Sequence, residues 1–269
     1  MAEHNVVLSF DFASVSLWMA QGLTSPTNLS RGEFGVVGAR RILDLLGAHG
    51  IKGSFYIPGV TINTYPDVCR EIAAQGHEIG HHGYRHVSPV KMEREEESQE
   101  LQQGLNAIAT ITDKPVAGYR SPAWDLSPHS IELLIEAGFT YDSSMMAHDH
   151  QPYFARVGDI VESDRVIFGE PSSLVELPIS WSLDDFPHFE YWRGGGLQVA
   201  EHVMANWLAD FRFMQESTDD GVLTYTFHPF VIGRGHRMMM LKQLIEELTR
   251  LGATFVTAEQ AVARFRDSA

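Results

Sequence analysis

Between Gly76 and His86 the chain reads GHEIGHHGYRH, with four histidines in the ten residues from His77 on. Imidazoles four residues apart project from one side of a helical turn and can hold one metal ion. Both His77–His81 and His82–His86 have that spacing, so arithmetic alone leaves the pair open. A catalytic zinc commonly takes three protein ligands and keeps a fourth position for water. A hydrogen-bonded histidine loop without an ion is the plainer alternative.

Four other places carry side chains fit for chemistry. Asp11 directly follows the apolar run Val6–Phe10, at the kind of strand end where barrel sites are built, although turn and cap aspartates also sit there. Arg120, within GYRSPAWD from Gly118 to Asp125, can fix a carboxylate with its guanidinium fork, and Trp124 can wall a pocket. The stretch SWSLDDFPHF from Ser180 combines aromatics with paired acids, and Trp181 and Asp184 suit a substrate wall. His228 follows Thr226-Phe227. A histidine at a strand end can give a proton to a leaving group, and its ordinary pKa near ~6.5 suits that work.

The elements that must position these groups alternate along the chain. Short β-rich runs fall at Val6–Phe10, Ser54–Ile57, Val116–Tyr119, Leu174–Ile179, Val222–Phe227 and Thr254–Val256. Between them lie amphipathic stretches: Leu101, Leu105, Ile108 and Ile111 recur at helical spacing, as do Leu241, Leu244, Ile245, Leu248 and Leu251. Gly138 and Gly252 read as the stops of such helices. This alternation predicts an α/β fold with a mainly parallel sheet. No GxGxxG follows the first strand and no Walker loop occurs, so nucleotide folds lose weight against a (β/α) barrel.

Composition narrows the function. The 269 residues are 44% hydrophobic and 20% charged, ordinary for a globular chain, and no linker or repeat divides residues 1–269, so one domain is expected. A net charge of −15 opposes a grip on nucleic acid or on an anionic membrane. Cys69 is the single cysteine, too few for a disulfide. The start runs straight into Val6-Val7-Leu8 with no leader-like segment, and no 18-residue apolar run follows. A cytoplasmic protein with a small-molecule substrate is the expectation.

Taken in order, these segments resemble the polysaccharide deacetylase family, also called the NodB-homology or carbohydrate esterase family 4 fold. Ser9-Phe10-Asp11-Phe12-Ala13 is similar to its opening motif, His82 to His86 to its His-x-x-x-His, Arg120-Ser121-Pro122 to its Arg-x-Pro, and His228 to its final histidine. The resemblance implies a distorted (β/α) barrel of about seven strands and a divalent metal, zinc or another, on an Asp-His-His triad. Ser30-Arg31-Gly32-Glu33-Phe34-Gly35, Tyr141-Asp142-Ser143-Ser144-Met145 and Ser180 to Asp185 resemble the branch containing cyclic imide hydrolases, an allantoinase and a peptidoglycan deacetylase homologue. Many of those are homotetramers, which the resemblance implies here.

One position departs from that pattern. Where the branch commonly has a second, metal-binding aspartate, this chain has Ala13. The resemblance then leaves Asp11 as base, as ligand, or as both, with His82 and His86 as the remaining ligands and a weakly held or absent metal. The leading reading is hydrolysis of a non-peptide C–N bond in a small cyclic imide or ureide. Asp11, Arg120 and His228 would carry the catalysis, and Trp124, Trp181 and Asp184 would bind the substrate. N-deacetylation of an acetylated amino sugar is the runner-up. A catalytically silent binding homologue is the contrasting reading, and its warrant is Ala13.

Overall fold

The computed structural model describes residues 3–192 and 195–268. Eleven strands occur among them: β1 (Glu3–Asp11), β2 (Ser54–Ile57), β3 (Glu78–His81), β4 (Gly118–Tyr119), β5 (Tyr141–Asp142), β6 (Tyr153–Val157), β7 (Ile160–Val161), β8 (Val166–Ile167), β9 (Glu170–Glu176), β10 (Asp220–Phe227) and β11 (Thr254–Val256). The main sheet runs β10-β1-β2-β3-β4-β5-β9-β6, with β11 also on β1. Neighbours from β10 to β9 pair in parallel, and β6 is antiparallel at the edge. The sheet curls into a half-barrel. A parallel bridge from Asp184 to Thr226 returns the chain beyond β9 to β10. Seven parallel strands thus surround one interior, the distorted (β/α) barrel expected from the sequence.

Why β1 takes the centre is legible in its burial. Asn5 to Asp11 are all buried, as in a strand covered on both faces. Phe10 stacks on Phe55 at 4.7 Å and tilts against Phe227 at 5.6 Å, knitting β1 to β2 and β10. Burying each such ring stabilises the fold by about 1.5–3 kcal/mol. Outside, helix Gly235–Arg250 buries Leu241, Leu244, Ile245 and Leu248 as its spacing requires, with Leu251 at the cap. Gly138 and Gly252 do end helices in left-handed backbone, at φ 86° and 85°. Helix Pro26–His49 approaches its neighbour so closely that a Cβ on Gly38 would lie 1.9 Å from the Pro229 carbonyl oxygen. Among the described residues no helix is long and apolar enough to cross a membrane.

Some boundaries differ from the expectation. The run Val116–Tyr119 pairs only at Gly118–Tyr119, and Leu174–Ile179 belongs to a strand that starts at Glu170 and ends at Glu176. The strands β3, β5, β6, β7 and β8 are two to five residues long. So short a segment takes strand form from its neighbours' hydrogen bonds more than from its own composition.

Candidate active site

Asp11 closes β1 and is fully buried at the end of the barrel. Its Oδ1 accepts from Arg120 Nη1 at 3.0 Å and its Oδ2 from Trp124 Nε1 at 3.2 Å. Arg120, just past β4, is fully buried too and crosses the interior. Its Nη1 also donates to Ser9 Oγ and Thr226 Oγ1, while Nε and Nη2 donate to the carbonyl and hydroxyl oxygens of Ser143. The guanidinium lies 4.3 Å above the Tyr56 ring. Burial acts to raise the Asp11 carboxyl, but Arg120 first, then His82 and His228, outweigh it and hold it down at about 2. Asp11 is therefore ionised throughout the neutral range.

The tryptophan that reaches Asp11 does so through unusual backbone. Ala123 and Trp124 both adopt left-handed conformations, at φ 61° and 54°. Non-glycine residues held there cost on the order of 1–3 kcal/mol each and persist where surroundings over-determine them. Here Ser121 supplies the hold, accepting Trp124 N–H through its carbonyl and donating through Oγ to the Asp125 carbonyl.

The histidine segment corrects the expectation of a helical turn. His77 and Glu78 enter β3, and His82 to His86 form a loop turned by Gly83 at φ 70° and His86 at φ 61°. The loop still brings His82 and His86 together, ring centroids 4.9 Å apart. His82 Nδ1 donates to the Arg120 carbonyl at 2.7 Å, which leaves Nε2 with its lone pair, 3.9 Å from Asp11 Oδ2. His86 Nδ1 is buried without a hydrogen-bond partner. Burial keeps both imidazoles below their ordinary range, against Asp11 in the case of His82 and with His82 adding to it in the case of His86. His77 and His81 are core histidines instead. His77 accepts Gly53 N–H and His81 bonds the Leu101 carbonyl, and burial lowers each to about 4.

His228 faces the same cleft from the end of β10. Its Nδ1 lies 2.9 Å from Asp185 Oδ1 and 3.3 Å from Asp184 Oδ1, and its backbone N–H donates to Asp185. Burial acts against a charge on this ring, but Asp184 and Asp185 outweigh it and hold the imidazole well above its ordinary range. With Nδ1 engaged, Nε2 is the nitrogen left for a substrate. Asp184 thus supports His228 and also lines the cleft, a second role beside the expected wall.

The cleft encloses about 210 Å³ and is lined by Asp11, His82, His86, His228, Trp124 and Trp181 among others. Trp181 stacks on Trp124 with centroids 4.2 Å apart and is 46% exposed, a flat apolar wall at the mouth. Every expected site residue therefore converges on one place, with Arg120 beneath it. Ser9, Thr226, Ser143 and Glu100 join the site without having been expected there, and Asp185, expected only as one of the paired acids of a substrate wall, is the closest partner of His228. Asp185 stands beside Asp184 in the sequence. Glu100 carries no local signal, yet its Oε2 accepts Tyr84 N–H at 3.1 Å and Arg85 N–H at 2.9 Å and so shapes the His82–His86 loop from a distant helix.

Hydrolysis of a carbon–nitrogen bond is the chemistry this barrel end supports, because an ionised carboxylate can orient water while a charged imidazole surrenders a proton to nitrogen. Comparison with known proteins defines the family. The family model for polysaccharide deacetylase matches residues 31–141. A peptidoglycan deacetylase of Helicobacter pylori is 31% identical over 279 residues, covering 97% of this chain and 95% of that protein. A solved Mycobacterium smegmatis structure assigned to the polysaccharide deacetylases is 31% identical, with a TM-score of 0.86 over 99% of this chain and 91% of that one. The Puue allantoinase structure shares the fold at 20% identity and a TM-score of 0.80, over 98% and 90% of the two chains. The chain belongs to the polysaccharide deacetylase family and is a hydrolase of non-peptide carbon–nitrogen bonds.

The donors present do not complete the metal triad of the resemblance. Position 13 offers a buried methyl group, and both Asp11 oxygens are engaged by Arg120 and Trp124. Among the described residues, the trios of ligating atoms within 4.8 Å of one another are His148-Asp149-His150 and Asp184-Asp185-His228. Asp11-His82-His86 is not one of them. Two imidazoles remain for an ion, with His82 oriented from behind by a carbonyl as ligating histidines are.

Proposed function

We propose that this hydrolase removes the acetyl group from N-acetylated amino sugars, releasing acetate and a free amine. The observation that carries the reading is the near full-length match to a peptidoglycan deacetylase, together with Asp11 and His228 lining one cleft. The cyclic imide or ureide expected from the sequence is favoured less. Its support is the allantoinase neighbour, and at 20% identity that likeness concerns the fold.

In this reading the acetamide carbonyl enters between the Trp124–Trp181 wall and the two histidines. Asp11 Oδ2 and His82 Nε2, 3.9 Å apart, both offer acceptor lone pairs to the attacking water. Arg120 holds the carboxylate still and charged, at the expense of basicity, so Asp11 chiefly orients the water, whose proton passes to the Asp11–His82 pair as the C–O bond forms. The imidazolium of His228 protonates the nitrogen as the tetrahedral intermediate collapses, and Asp184 and Asp185 keep it charged until then. The exposed Trp181 face suits the apolar side of a sugar ring.

The test is purified protein with acetylated chitooligosaccharide and peptidoglycan fragments, beside succinimide, hydantoin and allantoin, with acetate and free amine measured. Acetate from the sugars supports the proposal. Ring opening of an imide or ureide without acetate release replaces it with the imide reading, and no turnover on any of them returns the silent homologue.

A further inference from the structure

Two carboxyl groups that play no part in the chemistry above lie side by side in the barrel wall. Asp142 on β5 and Glu176 on β9 are register partners in a parallel pair, so their side chains leave the sheet on the same face. Both residues are fully buried. Glu176 Oε1 accepts the N–H groups of Ser144 and Met145, each at 2.8 Å. Asp142 Oδ1 accepts from Ser144 Oγ at 2.7 Å. The remaining oxygens, Asp142 Oδ2 and Glu176 Oε2, are buried with no donor, and the two carboxyls lie within hydrogen-bonding reach of each other.

Two neighbouring carboxylates so deeply buried resist ionising together, because Arg120, the cation that faces Asp142, is already paired with Asp11. One proton between them turns the repulsion into an O–H···O⁻ hydrogen bond, among the stronger kinds. Burial raises both groups, and for Glu176 the Asp142 charge adds to it. The other titratable groups facing the pair are Tyr119 on β4, Arg120 just past it and Tyr153 on β6, with Arg156 beside Tyr153. Arg120 and both tyrosines are pushed further from neutral pH.

What the pair holds is the seat of the active-site arginine. Ser143 gives Arg120 two acceptors, its carbonyl and hydroxyl oxygens, each at 2.8 Å, and its hydroxyl donates to the carbonyl of Leu177, next to Glu176. Ser144 Oγ, bonded to Asp142, accepts Ser121 N–H at 2.8 Å. We propose that Asp142 and Glu176 share one proton and act as a positioning pair, fixing the Tyr141–Met145 segment against which Arg120 is held and so aiming Asp11. The catalytic part of this inference rests on the function proposed above; the shared proton does not.

Three measurements test it on the whole protein. Difference infrared spectra of wild type should show a carboxylic C=O band that shifts in D₂O and is absent in Glu176→Gln. Folded wild type should hold a proton that the unfolded chain releases above a carboxyl pKa of ~4.3. Its stability relative to Glu176→Gln then falls as pH rises from there towards the raised value of the pair. On the substrate found to turn over, Asp142→Ala and Glu176→Ala should lose about tenfold or more in kcat with KM within about twofold, as expected when a reacting group is misaimed. Glu176→Gln should restore most of that loss, because its amide oxygen still accepts both N–H groups and its NH₂ donates to an ionised Asp142. No carboxylic band and no relative stability slope overturn the shared proton. Alanine variants with wild-type kcat, or a glutamine variant as impaired as alanine, overturn the positioning role. If no substrate turns over, the proposed function fails, and the infrared and stability results still decide the proton.

Discussion

Arg120 joins Asp11 side chain to side chain, Nη1 to Oδ1 at 3.0 Å, while its carbonyl oxygen accepts the His82 Nδ1 proton at 2.7 Å. A single residue past β4 thereby sets the charge of the carboxylate at the end of β1 and the tautomer of the imidazole after β3. Both effects depend on backbone placed by three different strands, so the site is built into the barrel and does not stand on a loop alone.

Replacing Asp11 by asparagine should lower kcat by about 10²-fold or more, the scale of loss when the attacking group is no longer held in place. Circular dichroism should show the fold retained. The carboxyl at about 2 in the folded protein, against ~3.9 unfolded, contributes stability that is present above pH ~4 and lost as pH falls through about 2. The stability difference between wild type and Asp11→Asn should therefore shrink across that acid window in denaturant titrations. Near-normal turnover would remove Asp11 from the mechanism.

His228 should set the alkaline limb of the pH–rate profile. Its raised pKa means that the acid form, and the stability of its pairing with Asp184 and Asp185, are fully present below ~6.5 and are lost as pH rises through the folded value. Asp185→Asn removes one of the two carboxylates and should move that limb to lower pH. His228→Ala should abolish it and slow substrates with poor leaving groups most. An unmoved limb in Asp185→Asn would place the titration elsewhere.

Metal binding should be weak in wild type, because two imidazoles and a methyl group stand where an Asp-His-His triad would. After dialysis against chelator, elemental analysis should find well under one equivalent of Zn²⁺ per chain. Ala13→Asp should retain more, and His82→Ala with His86→Ala should retain less. Because neutral imidazoles are required, any affinity should decline as pH drops. One tightly held equivalent in wild type would contradict the reading of this donor set.

Glu100 should prove important to the histidine loop although it lies outside the cleft lining. Removing its carboxylate in Glu100→Ala leaves two backbone N–H groups, of Tyr84 and Arg85, without their acceptor. Both N–H groups are only partly buried, so the cost of orphaning each lies at the lower end of about 1–3 kcal/mol. Thermal denaturation should show the loss, and the loop should relax from the left-handed turn at His86. An unchanged Tm would mean that water replaces the carboxylate freely.

The chain's own chemistry specified a great deal. Apolar runs ending in Asp11 and His228, the Arg120 segment and the four histidines were all visible as residue types at telling places, because side-chain chemistry and strand periodicity are local properties. The missing ligand at Ala13 was equally plain. Tertiary structure alone decided which histidines meet. His77 and His81 have the same four-residue spacing as His82 and His86, but His77, just before β3, and His81, at its end, turn into the core, while a left-handed loop delivers the second two to the cleft. It also decided that Arg120 would hold Asp11 ionised across the barrel and that Asp185 would help to charge His228. Asp142 came to lie against Glu176 in the same way. Such pairs are separated by tens of residues or more, and their energies come from burial and strand register, which exist only once the sheet has curled.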